Sequence, residues 1–161
     1  LNSPAPDAGP EFDLRAYLLG AWSVERTLLD RASGTRGSFA GAARFTETGD
    51  GGGLHFHEEG TVSWTSYNGG PFTGPASRDY LLRPTDARDT LDMFFPDGRP
   101  FHRMGFSERS RQDRHWCDPD TYKVSYTMIG PHEFRYRWDV TGPVKDQLLE
   151  SVLHRRPGSP T

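Results

Sequence analysis

The chain has 161 residues, enough for one domain with a sizeable core, and its 19 basic and 22 acidic residues leave a net charge of −3. That interspersed, near-neutral balance lacks the basic footprint of a nucleic-acid binder, and no apolar run approaches a membrane span or a signal-peptide core. A single cysteine, Cys117, excludes an intramolecular disulfide framework, so a cytoplasmic protein without nucleic-acid or membrane partners is expected.

Residues 1–10, with prolines at 4, 6 and 10, read as a disordered leader. Phe12, Leu14, Tyr17, Leu18 and Leu19 then carry a short helical period that stops at Gly20. From there nearly every segment alternates, the period of a strand with one buried face. Trp22, Val24, Arg26 and Leu28 share a first face, then Phe39, Gly41, Ala43 and Phe45, then Leu54, Phe56, Glu58 and Gly60. Tyr67 to Ser77, rich in Gly and Pro, reads as a connection.

Arg78, Tyr80 and Leu82 alternate next, and a hairpin follows over Leu91–Phe106. Its signal is Asp97-Gly98 between two apolar runs, for which a type I′ turn is expected. Leu91, Met93 and Phe95 share one face before the turn, and His102, Met104 and Phe106 share one after it. Glu108 to Arg114 is a charged loop. Tyr122, Val124, Tyr126 and Met128, then Phe134, Tyr136, Trp138 and Val140, then Leu149, Ser151, Leu153 and Arg155 complete the strands. Gly142-Pro143-Val144-Lys145-Asp146 is a shaped turn in which Lys145 and Asp146 can pair, and residues 157–161 are a tail.

Nine or ten strands at roughly ten-residue spacing, with one short N-terminal helix and no helices between them, predict an all-β fold. A single antiparallel barrel over residues 11–156 is expected, because closure removes sheet edges and leaves room for one small ligand. A two-sheet sandwich is the alternative.

The phase of each strand places Arg26, Glu58, Arg78, Tyr80, His102, Tyr122, Tyr126, Ser151 and Arg155 inside. Charged residues are rarely buried unless paired, so Glu58 is expected to pair with arginines. The same guanidinium groups suit an anionic or carbonyl-bearing ligand. His102, with tyrosines and Glu58 in the same interior, has the chemistry of a general acid or base. His115 and Cys117 would share a strand face, but no compact ligand spacing supports a metal. His55 and His57 fall out of phase and face solvent. No phosphate loop, zinc-finger pattern or nucleophile elbow is present.

Several patterns together resemble a known family. They are Leu-Gly-x-Trp (Leu19 to Trp22) with Arg26, Gly-x-Phe-x-Gly-x-Ala-x-Phe (Gly37 to Phe45) and Leu-x-Phe-x-Glu-x-Gly (Leu54 to Gly60). Arg-x-Tyr (Arg78, Tyr80), Phe-x-Asp-Gly-Arg-Pro-Phe-His (Phe95 to His102) and His-x-Cys-x-x-Asp-x-Tyr (His115 to Tyr122) continue the series. Trp-x-Val-x-Gly-Pro-x-Lys-Asp (Trp138 to Asp146) and Arg155 close it. The chain is similar in these to a calycin-like family of small bacterial and fungal proteins of unknown function. The resemblance implies a lipocalin-like barrel and no established activity. Val144 departs from a position that is often basic. Nitrobindin-like barrels bind haem through a late His, but His154 is out of phase with Leu153 and Arg155 and is expected to point outward.

Two functions follow. In the first, the barrel is a cofactor-free enzyme for isomerisation, cyclisation or dehydration of a small organic substrate. His102, Tyr122, Tyr80 and Glu58 would then be catalytic. Arg26, Arg78, Arg155, Trp22, Phe95, Tyr126, Trp138, Cys117 and His115 would bind the ligand, with no metal. In the second, a non-catalytic carrier or sensor clamps a carboxylate with its arginines and holds an apolar tail with its aromatics. Either form would be a monomer or homodimer.

Overall fold

Ten strands form in place of the nine or ten expected. The computed structural model describes residues 11–67, 69–107, 114–117 and 120–157, without the side chains of Tyr67 and residues 114–117. The leader, residues 108–113 of the charged loop and residues 158–161 of the tail lie outside the described residues. Helix α1 (Leu14–Leu18) comes first, followed by β1 (Gly20–Asp30), β2 (Thr35–Glu47), β3 (Leu54–Tyr67) and β4 (Gly70–Pro84). Then come β5 (Thr90–Phe94), β6 (Pro100–Gly105), β7 (Arg114–Cys117), β8 (Asp120–Gly130), β9 (Glu133–Thr141) and β10 (Asp146–Arg155).

All described pairings are antiparallel, in the order β6-β5-β4-β3-β2-β1-β10-β9-β8-β7. First and last strands therefore pair, Trp22 opposite Arg155 and Arg26 opposite Ser151. The barrel is nearly closed, and its seam lies between β6 and β7, which approach without ladder pairing among the described residues.

Gly41 of β2 faces Gly60 of β3 in the ladder. A Cβ on Gly41 would stand 2.1 Å from the Glu59 carbonyl oxygen, and one on Gly60 would stand 2.3 Å from that of Ala40. Only glycine permits so close a backbone approach, as at a barrel corner.

Two expectations are corrected here. Tyr67 to Ser77 is not a connection: β3 and β4 form a long hairpin across it. Its prolines are tolerated because β5 pairs only with Leu81–Pro84, so Pro71 and Pro75 lie where β4 has no second neighbour among the described residues. The hairpin at Asp97-Gly98 is not a two-residue type I′ turn. Phe95 and Arg99 flank a three-residue turn, with the Gly98 N–H donating to the Phe95 carbonyl at 2.9 Å and Gly98 at φ 91°. Pro96 sets the first turn position and Gly98 takes the left-handed one. The register slips between Met93 and Phe94, and Phe101 and His102 are both buried.

One barrel end is closed by α1. Leu14 and Leu18, four residues apart, lie on one face and are fully buried. Asp13 caps the helix by accepting from the Ala16 N–H at 3.0 Å, a contact worth about 1 kcal/mol. Five residues cannot hold a helix by propensity, so packing holds it. Phe12, Tyr17, Trp22, Phe106 and Phe134 form an aromatic layer beneath it. The Arg155 guanidinium lies 4.2 Å over the Trp22 ring and donates to the Tyr17 carbonyl at 2.7 Å, which seals the joint between helix and barrel.

Candidate functional site

At the level of Arg26 the interior turns polar. Arg26 donates from Nη1 to Glu58 Oε1 at 2.8 Å, from Nη2 to Glu58 Oε2 at 2.7 Å, and from Nε to Ser151 Oγ at 2.7 Å. Its Nη2 also bonds the Tyr136 hydroxyl. Arg78, directly opposite Glu58 in the β3–β4 ladder, donates from Nε to Oε1 at 2.9 Å. The Tyr136 hydroxyl donates to Oε2 at 3.1 Å. Glu58 thus accepts four hydrogen bonds and has no acceptor position left for a substrate proton.

Burial alone would raise the Glu58 carboxyl, but the Arg78 charge and the Arg26 hydrogen bonds outweigh it and hold the pKa at about 2. Burial likewise works against the charge on Arg26, and the Tyr136 oxygen and Glu58 reverse that effect. Both guanidinium groups stay charged. Two cations around one carboxylate leave one positive charge uncompensated inside the barrel.

The two arginines are not equivalent. Arg26 has 4% of its side chain exposed and uses four of its five N–H groups on protein. Arg78 has 26% exposed. Beyond the Glu58 bond it makes one weak bond, from Nη2 to the Tyr136 hydroxyl at 3.3 Å, and its guanidinium lies 4.6 Å over the Trp138 ring. Three Arg78 N–H groups have no acceptor among the described residues. Arg78 borders a cavity of about 180 Å³ at the end opposite α1, walled by Leu28, Phe39, Val62, Ala76, Ser77 and Leu149 with Arg26 and Glu58.

A second polar group lies beyond Trp138. The Trp138 Nε1–H donates to the Tyr126 hydroxyl at 3.1 Å, and that hydroxyl is 2.7 Å from His102 Nε2. An indole can only donate, and burial pushes the Tyr126 pKa well up, so the phenol keeps its proton and directs it to His102 Nε2. His102 packs edge-on against Trp138 but is absent from the walls of the arginine cavity. Tyr80 sits between the groups, its ring 5.6 Å from the Arg78 guanidinium and 5.9 Å from Trp138. Burial raises its pKa, so it remains a phenol at neutral pH. Tyr122 packs edge-on against Phe101, which is stacked on Phe95.

Of the residues expected from the sequence, Arg26, Glu58 and Arg78 meet in one network, and His102, Tyr126 and Trp138 in another. Arg155 and Trp22 do not join them. They lie four residues along β1 and β10 from Arg26 and Ser151, roughly 13 Å away at the closed end. That corrects the expectation of three converging arginines. The side chains of His115 and Cys117 lie outside the described residues. Lys145 reaches Asp120 at 3.4 Å instead of pairing with Asp146, which bonds Arg31 at 2.9 Å. His154 points outward to Glu133, and His55 and His57 share Asp79 on the outer face. Tyr136 was missed as a site residue, although its phase with Phe134 and Trp138 marks it as inward. The apolar walls carried no distinguishing signal.

With the barrel and its network in place, the sequence can be set against known proteins. The model of a family of unknown function (DUF6314) matches residues 18–155. The chain belongs to this family. For this DUF6314 member no curated protein matches. Among solved structures it is similar to the S-type phycobiliprotein lyase CPES from Guillardia theta, with a TM-score of 0.62 and 11% identity over 92% of this chain and 96% of that one. The likeness establishes the barrel fold. A de novo designed fluorescence-activating β-barrel also matches, with a TM-score of 0.44 and 12% identity over 90% of this chain and 99% of that one. No described helix of the DUF6314 chain is long and apolar enough to cross a membrane.

Proposed function

We propose that the protein is a small-molecule-binding barrel that takes up an amphipathic organic ligand with an anionic head through the end opposite α1. The observation that supports this is the Arg78 guanidinium, with three uncommitted N–H groups, at the base of an apolar cavity. Reversible binding fits better than catalysis at this spot, because the saturated Glu58 cannot shuttle a proton. Arg26 and Glu58 then position Arg78, and Phe39 and the aliphatic walls hold the ligand body.

The test is native mass spectrometry of the purified protein with an absorption spectrum, followed by calorimetric titration with small organic anions. Saturable one-to-one binding that Arg78→Gln weakens supports the reading. Failure of every anion to bind overturns it. The cofactor-free enzyme reading draws on a different observation, the His102–Tyr126 hydrogen bond beneath Trp138. It requires His102→Phe to lower turnover by about 10²–10⁴-fold, whereas a carrier loses little affinity.

A further inference from the structure

We infer that the ligand of this cavity is a compact monocarboxylate whose carboxylate sits on Arg78 while Arg26 stays a scaffold residue. This rests on the binding reading above and narrows it in charge, size and contact residue.

Charge is set by the composition of the network. Arg26 and Arg78 against Glu58 leave one positive charge, and Glu58 is the only acid around the cavity among the described residues. One ligand carboxylate neutralises it. A second carboxylate would find no second cation in the lining, only the neutral Ser77 beside Leu28, Val62 and Leu149, so it gains no charge pairing there. A neutral isostere would leave the cation uncompensated and the Arg78 donors unused.

Geometry selects the contact residue. A carboxylate accepts two parallel N–H bonds from a guanidinium edge. On Arg26 those edges already face Glu58, Ser151 and Tyr136. On Arg78 both Nη1 protons and one Nη2 proton remain, next to the cavity and steadied by the Trp138 ring.

Size follows from the volume. About 180 Å³ equals roughly six waters at about 30 Å³ each, or six to ten packed non-hydrogen atoms. A benzoate-sized acid fills that volume, whereas large fused-ring or tetrapyrrole acids exceed it and would leave part of their surface in solvent.

The decisive experiment titrates the wild-type protein by calorimetry with benzoate, benzyl alcohol, phthalate, 1-naphthoate and anthracene-9-carboxylate, and repeats benzoate on Arg78→Gln and Arg78→Lys. Benzoate should bind about 10- to 100-fold more tightly than benzyl alcohol, the range for losing a charged hydrogen bond. Phthalate and anthracene-9-carboxylate should bind more weakly than benzoate. Arg78→Gln should bring benzoate down to the alcohol, with Arg78→Lys in between. Equal binding of acid and alcohol overturns the carboxylate assignment, and affinity that keeps rising with ring count overturns the size limit. The second outcome leaves the anionic-head reading intact, whereas the first leaves a small-molecule-binding barrel without the anionic head. If neither charged nor neutral probes bind, the reading and the inference fail together. The wild-type series decides charge and size even where a variant folds poorly.

Discussion

Arg26 and Glu58 meet through two parallel bonds, Nη1 to Oε1 at 2.8 Å and Nη2 to Oε2 at 2.7 Å, with 4% and 2% of their side chains exposed. A buried ion pair adds little net stability, but removing one member leaves the other charge stranded. Glu58→Gln strands two guanidinium groups and is expected to cost about 3–5 kcal/mol. Urea unfolding of the variant against wild type measures it, and a loss below 1 kcal/mol would contradict the geometry.

The same carboxyl makes the fold acid-sensitive. Its pKa is about 2 in the folded protein against 4.5 ordinarily, so the unfolded chain takes up the proton first. The stabilisation is full above the ordinary value and is lost as pH falls through about 4.5 toward 2, amounting to something on the order of 3 kcal/mol. Urea midpoints measured between pH 6 and 2 should show this drop in wild type and lack it in Glu58→Gln.

On the outer face the sign is opposite. The Asp79 hydrogen bond raises the His57 pKa above 6.5. Its contribution is present below that ordinary value and fades as pH rises through the folded one, and exposure keeps it small. NMR titration should place His57 above 6.5 in wild type and lower in Asp79→Asn, where Glu59 alone still raises it.

Gly41→Ala and Gly60→Ala both drive a methyl group into partner-strand backbone. Each is expected to destabilise by about 1–3 kcal/mol or more. Gly130→Ala, with nothing within 4 Å of the added carbon, should stay within about 0.5 kcal/mol. Thermal melts of the three variants compare them directly.

Tyr126→Phe removes the acceptor for the Trp138 indole and the donor to His102 at once. Leaving these buried groups unsatisfied should cost about 1–3 kcal/mol in chemical unfolding.

Much of this was legible in the sequence because strand phase is a local property. Alternation alone carried Arg26, Glu58, Tyr80, His102 and Tyr126 to the inner face. What alternation does not encode is register. Nothing local says that His102 meets Tyr126 across the barrel, or that Arg155 lies four residues from the level of Arg26. The β3–β4 hairpin was obscured because Gly and Pro mark turns in general, while here Pro71 and Pro75 lie in a stretch of β4 that pairs with β3 alone among the described residues. Phe101 was hidden for a related reason, since the slip beside the three-residue turn breaks the period on which the reading depended.

The pairing of β1 with β10 also dictates an order of events as the chain emerges from the ribosome. Arg26 is made early, yet Ser151, its Nε partner, and the strand that covers it arrive last. Until then β1 and β9 present open edges and Arg26 Nε lacks its Ser151 acceptor, so native closure cannot precede synthesis of β10. Such distant pairing slows folding. A chain stopped before Asp146 is expected to associate through those edges instead of forming a smaller barrel.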